Sequence, residues 1–274
     1  MPLVLRLTQQ TSIPLEVDSV QLDIVRGESV DEVRRTPIQY GNAQVPLGEF
    51  FDIAGSAADN EIVWEGDCSR VKLIGAQLKE GRIRVEGNAG MHLGAQMRGG
   101  EIVVNGDASD WVGAEMHGGR IHVRGRAGNL VGAVYRGGRR GMTGGEILID
   151  GDAGDEIGHT MRRGLIVVGG RAGDAVGFDL IAGSLLLFGD VGIRPGAGMK
   201  RGTIALLGTH TPPKLLPTFK PAGVSRPVFL RFYLLRLREI GFFVPEECFH
   251  VDYQRYCGDF LELGKGEILI RASS

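Results

Sequence analysis

One short unit is written three times in residues 81–137, and it decides the fold. Residues 81–99 read GRIRVEGNAGMHLGAQMRG, residues 100–118 read GEIVVNGDASDWVGAEMHG, and residues 119–137 read GRIHVRGRAGNLVGAVYRG. The pattern continues on both sides, from residue 60 to residue 208. From Gly87 onward its period is 19 residues, except for one step of 26 between Gly125 and Gly151. A fixed period of this length is typical of proteins built from stacked structural repeats.

A template of positions follows when each unit is numbered from its first glycine, with Gly100 as position 0. Positions 2, 4 and 12 hold Ile, Val or Leu in nearly every unit, position 8 is mostly Ala, and position 16 is mostly Met, with Tyr135 in the third unit. Alternating apolar positions between glycines predict strands of about five residues rather than helices. Like positions of stacked units would form ladders about 4.8 Å apart.

The predicted fold class is therefore all-β dominated. The 19-residue coils are expected to wind into a right-handed parallel β-helix, a solenoid of seven coils plus a closing strand, because parallel crossovers are right-handed. Its length would be about 34 Å at the spacing of adjacent strands. Small Ala and large Met side chains at different corners predict a tapered interior filled by side chains.

Position 1 carries charges of alternating sign on successive units. The row is Glu61, Arg82, Glu101, Arg120 and Glu146. Opposite charges on neighbouring strands stabilise one register and penalise slips. We therefore expect this row to be structural and to carry no chemistry.

Residues 1–59 are predicted to form an N-terminal cap on the repeats, since the open end of a solenoid needs cover. Apolar alternation over residues 3–25, from Leu3 to Ile24, predicts a strand pair. Ser29 and Glu32 have the spacing of a capping box, which predicts a short helix at residues 30–35.

Residues 209–274 are predicted to form a C-terminal extension, part helical and part irregular. A Pro-rich connector over 209–227 leads to residues 228–240, whose Leu and Phe positions predict one amphipathic helix. The remaining tail is expected to be irregular, with a short strand near Ile268. The predicted domains are thus residues 1–59, 60–208 and 209–274.

The outward strand positions change character along the repeats. They are polar or charged in the early units and apolar in the later ones, at Leu165, Val167, Leu186 and Phe188. A strand that is apolar on both faces is covered on both faces. We expect either the helix at 228–240 or another protein chain to cover this outer face.

The repeat is interrupted once, between residues 135 and 145, by seven extra residues. This stretch contains Arg136, Arg139 and Arg140 among glycines. Insertions in repeat proteins emerge as loops, often on a binding face. Three roles remain open: contact with a partner protein, contact with an acidic ligand, or neither.

Composition excludes several classes of function. A net charge of −2 argues against a general nucleic-acid binder. The cysteines Cys68, Cys248 and Cys257 have neither CxxC pairing nor metal-ligand spacing, which fits free thiols in a reducing cytoplasm. No secretory leader and no apolar run of 18 residues is present, so neither export nor membrane insertion is expected.

The residues give no catalytic, cofactor-binding or metal-binding set. The six histidines, among them His210, occupy different repeat positions, and we expect no metal site. Asp155 and Asp174 share position 10 of adjacent units, a spacing compatible with a glycosidase pair or a cation site. Each lies in an Ala-Gly-Asp turn, however, where Asp is favoured by local backbone bonding. A free-standing β-helix enzyme or an independent binding module stays open as an alternative.

The repeat G-x-I-x-V-x-G-x-A-G-x-x-V-G-A-x-M resembles the Gly-rich β-helix (GXGXG) domain of the glutamate synthase large subunit. It resembles more closely the C subunit of formylmethanofuran dehydrogenase and its counterpart in the formyltransferase/hydrolase complex. The flanking segments that carry this likeness are YGN at 40–42, LGEFFDI at 47–53, KLLPT at 214–218, RYCGD at 255–259 and GKGE at 264–267. The likeness covers nearly the whole chain.

The resemblance implies a non-catalytic scaffold that contacts an amidohydrolase-like A subunit, a B subunit and a formyltransferase (D) subunit. Such a complex would move a formyl group from tetrahydromethanopterin to a methanofuran-type carrier and hydrolyse it to formate, with metal on a partner subunit. The alternative is the C subunit of a tungsten or molybdenum formylmethanofuran dehydrogenase. The excess of Arg over Lys favours the formyltransferase/hydrolase complex. No cofactor is expected on this chain itself.

Overall fold

A computed structural model describes residues 1–208 and 213–272, so the first part of the predicted connector, with His210, lies outside the described residues. The helices are α1 (Leu22–Val25), α2 (Val30–Arg34) and α3 (Val228–Glu239), and single 3₁₀ turns span Leu47–Glu49, Ala57–Asp59 and Glu246–Phe249. The strands are β1 (Leu3–Leu7), β2 (Leu15–Glu16), β3 (Pro37–Tyr40), β4 (Ala43–Pro46), β5 (Phe51–Ala54), β6 (Glu61–Glu65), β7 (Val71–Lys72), β8 (Arg82–Val85), β9 (Glu101–Val104), β10 (Arg120–Val123), β11 (Glu146–Ile149), β12 (Leu165–Val168), β13 (Ser184–Leu187), β14 (Arg201–Leu206), β15 (Lys220–Ser225), β16 (Tyr253–Gly258) and β17 (Lys265–Arg271).

One large sheet holds most of the strands, in the order β15-β16-β17-β14-β13-β12-β11-β10-β9-β8-β6-β1-β5. From β6 to β14 every neighbouring pair is parallel, and like repeat positions face each other. Ile102, for example, pairs with Ile121, and Ile121 with Ile147. A four-stranded sheet of β4, β3, β2 and β7 lies in the N-terminal part. The chain is therefore strand-dominated, with a large and mostly parallel sheet.

Successive units are hydrogen-bonded along more than their main strands. Position 8 forms a second parallel ladder of bridges that runs from Cys68 through five alanines to Val191. Further along each unit, the backbone nitrogens of His92 and Trp111 donate to carbonyls of the following unit at 3.0 and 2.9 Å. Each unit thus satisfies much of its backbone through its neighbours.

The core lies between these ladders. Ile102, Val104, Val112 and Met116, at positions 2, 4, 12 and 16, are all fully buried. Gly94 shows why position 13 is glycine: it has φ +62, and an added Cβ would lie 2.5 Å from Ile121 Cδ1. The interior is therefore continuous, and a side chain at that corner would have to displace the ends of Ile121 and Ile102.

The N-terminal prediction was right about α2 and wrong about residues 22–25. Both capping-box bonds of α2 are present between Ser29 and Glu32. Residues Leu22–Val25 form helix α1 instead of the second strand of a pair. Leu22 and Val25 are buried while Ile24 is half exposed, so burial follows an i, i+3 spacing rather than alternation. β1 instead pairs with β5 and β6.

The seven-residue insertion enters one step earlier than predicted, so Tyr135 does not occupy position 16. The backbone nitrogens of His117, Thr143 and Arg162 form equivalent bonds to the carbonyls of Met97, Met116 and Met142. Thr143 therefore stands at position 17, and the fully buried Met142 stands at position 16. An unbranched Met fills the core there, while Tyr135 is only partly buried and its hydroxyl has a hydrogen-bond partner.

The C-terminal tail is more regular than the irregular tail predicted. β17 adds to the large sheet parallel to β14, with Ile204 facing Ile268. β16 pairs antiparallel with β17, and β15 pairs antiparallel with β16. The predicted helix is α3, one residue shorter than expected at its C-terminal end.

Candidate functional site

The insertion forms an exposed loop, here called the arginine loop and defined as residues 135–141. A turn closes it, because the backbone nitrogen of Gly138 donates to the carbonyl of Tyr135 at 2.9 Å. Gly137 has φ +85, and an added Cβ there would meet nothing within 4 Å. Arg136, Arg139 and Arg140 are exposed, and none forms an ion pair with another residue that the structure describes. Three guanidinium groups thus project from a glycine-rich turn.

The base of the loop is held by an aromatic cluster, here called the Tyr135 clamp. The ring of Tyr135 stacks on Trp111 with centroids 5.0 Å apart, and its hydroxyl lies 2.9 Å from His92 Nδ1. The backbone nitrogen of Tyr135 donates to Glu115 Oε1 at 3.2 Å. Burial, with a smaller contribution from the Glu115 carboxylate, raises the pKa of Tyr135 to about 12, so its hydroxyl keeps its proton at neutral pH.

A row of basic side chains continues from the loop along position 17, and we call it the basic row. It comprises Arg98, His117 and Arg162, with Arg163 next to the last, while Thr143 stands between His117 and Arg162 and shares a 2.7 Å hydrogen bond with His117 Nδ1. The three arginines form no ion pair with another described residue. Since like positions of neighbouring units lie about 4.8 Å apart, the row holds its basic side chains close together.

The position 1 row is different, because its charges are neutralised within the chain. Arg82 pairs with Glu101 at 3.0 Å, and Glu146 receives bonds from both Arg120 and Arg236 at 3.0 Å. Partial burial alone would raise the pKa of Glu146, but the bonds from the two arginines outweigh it and lower the pKa. This row joins the repeat units to α3.

The outer apolar residues lie beneath α3. Leu165, Val167 and Leu186 are buried, and their cluster includes Leu230, Leu234 and Leu237 of the helix. Phe188 is partly buried, and its ring lies 5.8 Å from that of Phe242, beyond the end of α3. The chain's own C-terminal segment therefore covers this face of the later strands.

The carboxylates of position 10 bond to backbone rather than to each other. Asp155 Oδ1 accepts from the backbone nitrogen of Asp174 at 2.8 Å, and Asp174 Oδ1 accepts from that of Ile193 at 2.9 Å. Each Asp thus links its turn to the next unit, as favoured for Asp in such turns. This arrangement gives no acid/base pair for glycoside cleavage.

Metal-binding and reactive groups are scarce in the part of the chain that the structure covers. No group of three or more His, Cys, Asp or Glu side chains within residues 1–208 and 213–272 is arranged to hold a metal ion. Burial raises the pKa of Cys68 to about 12 and also raises that of Cys248, so neither thiol is activated. Among the described helices, none has the length and apolar character needed to cross a membrane.

The sequence located the arginine loop but missed the Tyr135 clamp and the basic row. The basic row has a signal, since Arg98, His117 and Arg162 share position 17 of the repeat. The clamp has none, because it joins position 11 side chains, His92 and Trp111, to a tyrosine of the insertion whose path the period does not define.

A family model and several known proteins match parts of this chain. The GXGXG motif family matches residues 69–214. Over 89 residues the chain is 39% identical to the C subunit of a tungsten-containing formylmethanofuran dehydrogenase 2 of Methanothermobacter thermautotrophicus, a match that covers 31% of this chain and 33% of that protein. Over 82 residues it is 45% identical to the C subunit of the molybdenum-containing formylmethanofuran dehydrogenase 1 of Methanothermobacter marburgensis, covering 30% of this chain and 20% of that protein. The chain thus aligns with a third or less of the length of these curated relatives.

A solved structure matches over much more of the chain. It is a chain of the formyltransferase/hydrolase complex (FhcABCD) of Methylorubrum extorquens, crystallised with methylofuran. The TM-score is 0.90 at 33% identity, and the match covers 98% of this chain and 100% of the other. The chain therefore belongs to the GXGXG family, together with the C subunit of formylmethanofuran dehydrogenase and its counterpart in the formyltransferase/hydrolase complex.

Proposed function

We propose that this chain is a scaffold subunit of a multi-subunit formyltransferase/hydrolase complex and has no active site of its own. The observation that carries the proposal is the match over 98% of the chain, at 33% identity, to a chain of such a complex. The site geometry supports it, since the carboxylates described above pair with arginines or with backbone. We expect the complex to work in the cytoplasm, where the unpaired thiols of Cys68, Cys248 and Cys257 would stay reduced.

The partners we propose are an amidohydrolase-like A subunit, a B subunit and a formyltransferase D subunit. Together they would transfer a formyl group from tetrahydromethanopterin to a methanofuran-type carrier and hydrolyse the product to formate. A carrier of this class is favoured because the matching complex was solved with methylofuran. Any metal ion would belong to a partner subunit.

The second candidate is the C subunit of a formylmethanofuran dehydrogenase. It is favoured by the local identities of 39% and 45% to dehydrogenase chains. The two complexes differ in metal content, because the dehydrogenases of the relatives contain tungsten or molybdenum. Metal analysis of the purified complex distinguishes them: tungsten or molybdenum in stoichiometric amount favours the dehydrogenase.

We further propose that the repeats wind as a right-handed parallel β-helix. Two parallel ladders, at positions 2–4 and at position 8, together with the bonds at position 11, support a path that turns around a common core. An elongated, rigid body of this kind suits a scaffold, because successive units offer a long surface along one axis.

For the arginine loop we propose contact with an acidic surface of a partner subunit. An Arg guanidinium can bind a carboxylate in bidentate fashion, through two hydrogen bonds. The three arginine side chains form no ion pair with any residue that the structure describes. The alternative ligand is the acidic tail of the carrier. Changing Arg136, Arg139 and Arg140 to Ala distinguishes them: contact between subunits predicts weaker assembly, whereas carrier binding predicts normal assembly with a raised KM for the carrier.

The proposal that the chain has no active site is tested by assaying it alone. We expect the purified chain to show neither formyl transfer nor formate release, and the assembled complex to show both. Turnover by the chain alone would contradict the proposal. A variant with Asp155→Asn and Asp174→Asn serves as a check on the carboxylate turns, and it should leave the activity of the complex unchanged.

A further inference from the structure

We infer that Tyr135 is a positioning residue: it fixes the arginine loop against the wall of the repeats so that the loop and the basic row meet one acidic partner surface together. The inference rests on the proposed role of the arginine loop in contact between subunits. Tyr135 is not itself proposed to touch the partner subunit; it acts by holding the arginine loop in place.

Tyr135 is attached to the repeats at three points. Its ring stacks on Trp111, its hydroxyl bonds with His92 Nδ1 at 2.9 Å, and its backbone nitrogen donates to Glu115. These partners come from the two preceding repeat units, 20 to 43 residues earlier in the chain. Burial, and next the nearby Lys72, lowers the pKa of His92, so a neutral ring can accept the hydrogen bond that the Tyr135 hydroxyl donates. Tyr135 is thus attached to both of the repeat units that precede its own.

The other end of the loop is attached separately. The backbone nitrogen of Gly141 donates to the carbonyl of Thr160 at 3.0 Å, and that of Met142 donates to Gly132 at 2.8 Å. Met142 is fully buried. The C-terminal end of the loop is therefore fixed by the core itself, and the N-terminal end by Tyr135.

Tyr135 is not needed to complete the core. Met142 occupies position 16 of this unit and is fully buried, whereas Tyr135 lies outside the core and is only partly buried. Arg136 follows Tyr135 directly, so release of the ring would free the first arginine, and the open space at Gly137 would let the turn reorient. An attachment of this kind, outside the core and next to Arg136, is expected if the direction in which the arginine loop points is important for binding the partner.

The partner surface that fits is one that carries carboxylates over several coils. The arginine loop projects from the unit that starts at Gly119, while the basic row adds Arg98 on one side and Arg162 and Arg163 on the other. Fixing the loop holds these groups at set distances, so less conformational freedom is lost when the acidic surface binds.

The test compares Tyr135 variants in two backgrounds within the complete complex. The full chain is coexpressed with its partner subunits. Two quantities are measured: the NaCl concentration at which half of the complex dissociates, and the dissociation constant of the complex at one fixed NaCl concentration. Variants are Tyr135→Ala, which removes ring and hydroxyl, and Tyr135→Phe, which removes the bond to His92 alone. Each is made with the loop intact and with Arg136, Arg139 and Arg140 changed to Ala. Tyr40→Ala is the matched control, because Tyr40 also packs on an aromatic ring, Phe50, in the N-terminal part.

With the loop intact, Tyr135→Ala is expected to weaken assembly about 3- to 30-fold, as for a coupling between interacting groups. Tyr135→Phe should have a smaller effect of the same sign, and Tyr40→Ala none at equal folded fraction. In the background without the three arginines, Tyr135→Ala should have no further effect. Equal weakening in both backgrounds, or none in either, would overturn the inference.

The proposed function and the inference fail in different ways. If the wild-type chain does not assemble with these subunits, the proposed function is wrong. If the wild type assembles and the triple arginine variant assembles as tightly, the loop is not a contact, and the role of Tyr135 falls with it. If the arginines matter while Tyr135→Ala has no effect, the inference alone is wrong.

Discussion

Glu146 forms the ion pairs that connect the repeats to helix α3. Its carboxylate accepts from Arg120 and from Arg236, which is 90 residues away in sequence. The side chain of Glu146 is mostly buried, while that of Arg236 is about half exposed, so solvent screens the second pair. We therefore expect a modest contribution, about 0.5–1 kcal/mol for each bond.

The pH dependence of this contribution has a definite sign. The pKa of Glu146 is lowered in the folded chain from an ordinary value of 4.5, so its stabilisation is fully present above about 4.5 and is lost as the pH falls through the lower, folded value. Glu146→Gln should thus destabilise the chain at pH 7 and have less effect near pH 3. Urea unfolding at both pH values measures this. Glu49→Gln is the control, because Glu49 is exposed and forms no ion pair with another described residue. If Glu146→Gln lowered the free energy of unfolding as much at pH 3 as at pH 7, this expectation would be contradicted.

Gly94 tests the close packing at position 13. We expect Gly94→Ala to destabilise the chain by about 1–3 kcal/mol, because its Cβ would meet Ile121 in a backbone conformation with φ +62. The conformation by itself is tolerated nearby, since His92 has φ +65. Gly241→Ala, at another glycine with positive φ (+80) where an added Cβ meets nothing within 4 Å, is the matched control and should destabilise the chain less than Gly94→Ala does. Equal effects of the two changes would refute close packing at Gly94.

Which residues could be predicted depends on whether the signal is periodic. Buried Ile, Val and Met positions repeat every 19 residues, so one unit identifies them all. Tyr135 and Met142 both suit an apolar position, and the period cannot choose between them inside an insertion. The choice is made by packing, because a tyrosine hydroxyl needs a partner that His92 supplies outside the core.

At the scale of elements, α3 is the test of how the outer face is covered. Leu234 is 1% exposed and packs over the later strands, whereas its neighbour Leu235 is 40% exposed. Leu234→Ala should destabilise the chain by about 2–4 kcal/mol and expose α3 to hydrogen exchange, while Leu235→Ala should cost less than about 1 kcal/mol. Thermal unfolding and exchange of the two variants measure this. A loss of similar size for both would mean that α3 does not cover the face in solution.

Local signals predicted some elements and long-range pairing determined others. The capping box of Ser29 and Glu32 identified α2 because both of its bonds form within four residues. β17 has no such signal: its place beside β14 depends on pairing between residues that are more than 60 positions apart. α1 was missed since four residues with two buried side chains fit a strand or a helical turn equally well from sequence.

At the scale of the whole molecule, the repeats, the N-terminal strands and the C-terminal strands share one sheet of thirteen strands. The proposed domains at 1–59, 60–208 and 209–274 therefore need not unfold separately. The sequence sufficed for the strand-dominated class and the parallel register because both follow from the period. It did not suffice for the Tyr135 clamp, whose hydrogen-bond partners lie 20 and 43 residues earlier in the chain.

The proposed role of this chain, a scaffold that works within an assembly, is the central claim. Its most direct test is to identify the proteins that copurify with a tagged full-length chain from its own cells and to measure their molar ratio by native mass spectrometry. We predict a fixed molar ratio of this chain to an amidohydrolase-like, a B and a formyltransferase subunit, with formyl transfer and formate release in the purified complex. Recovery of the chain alone, as a stable monomer without these partners, would contradict the claim.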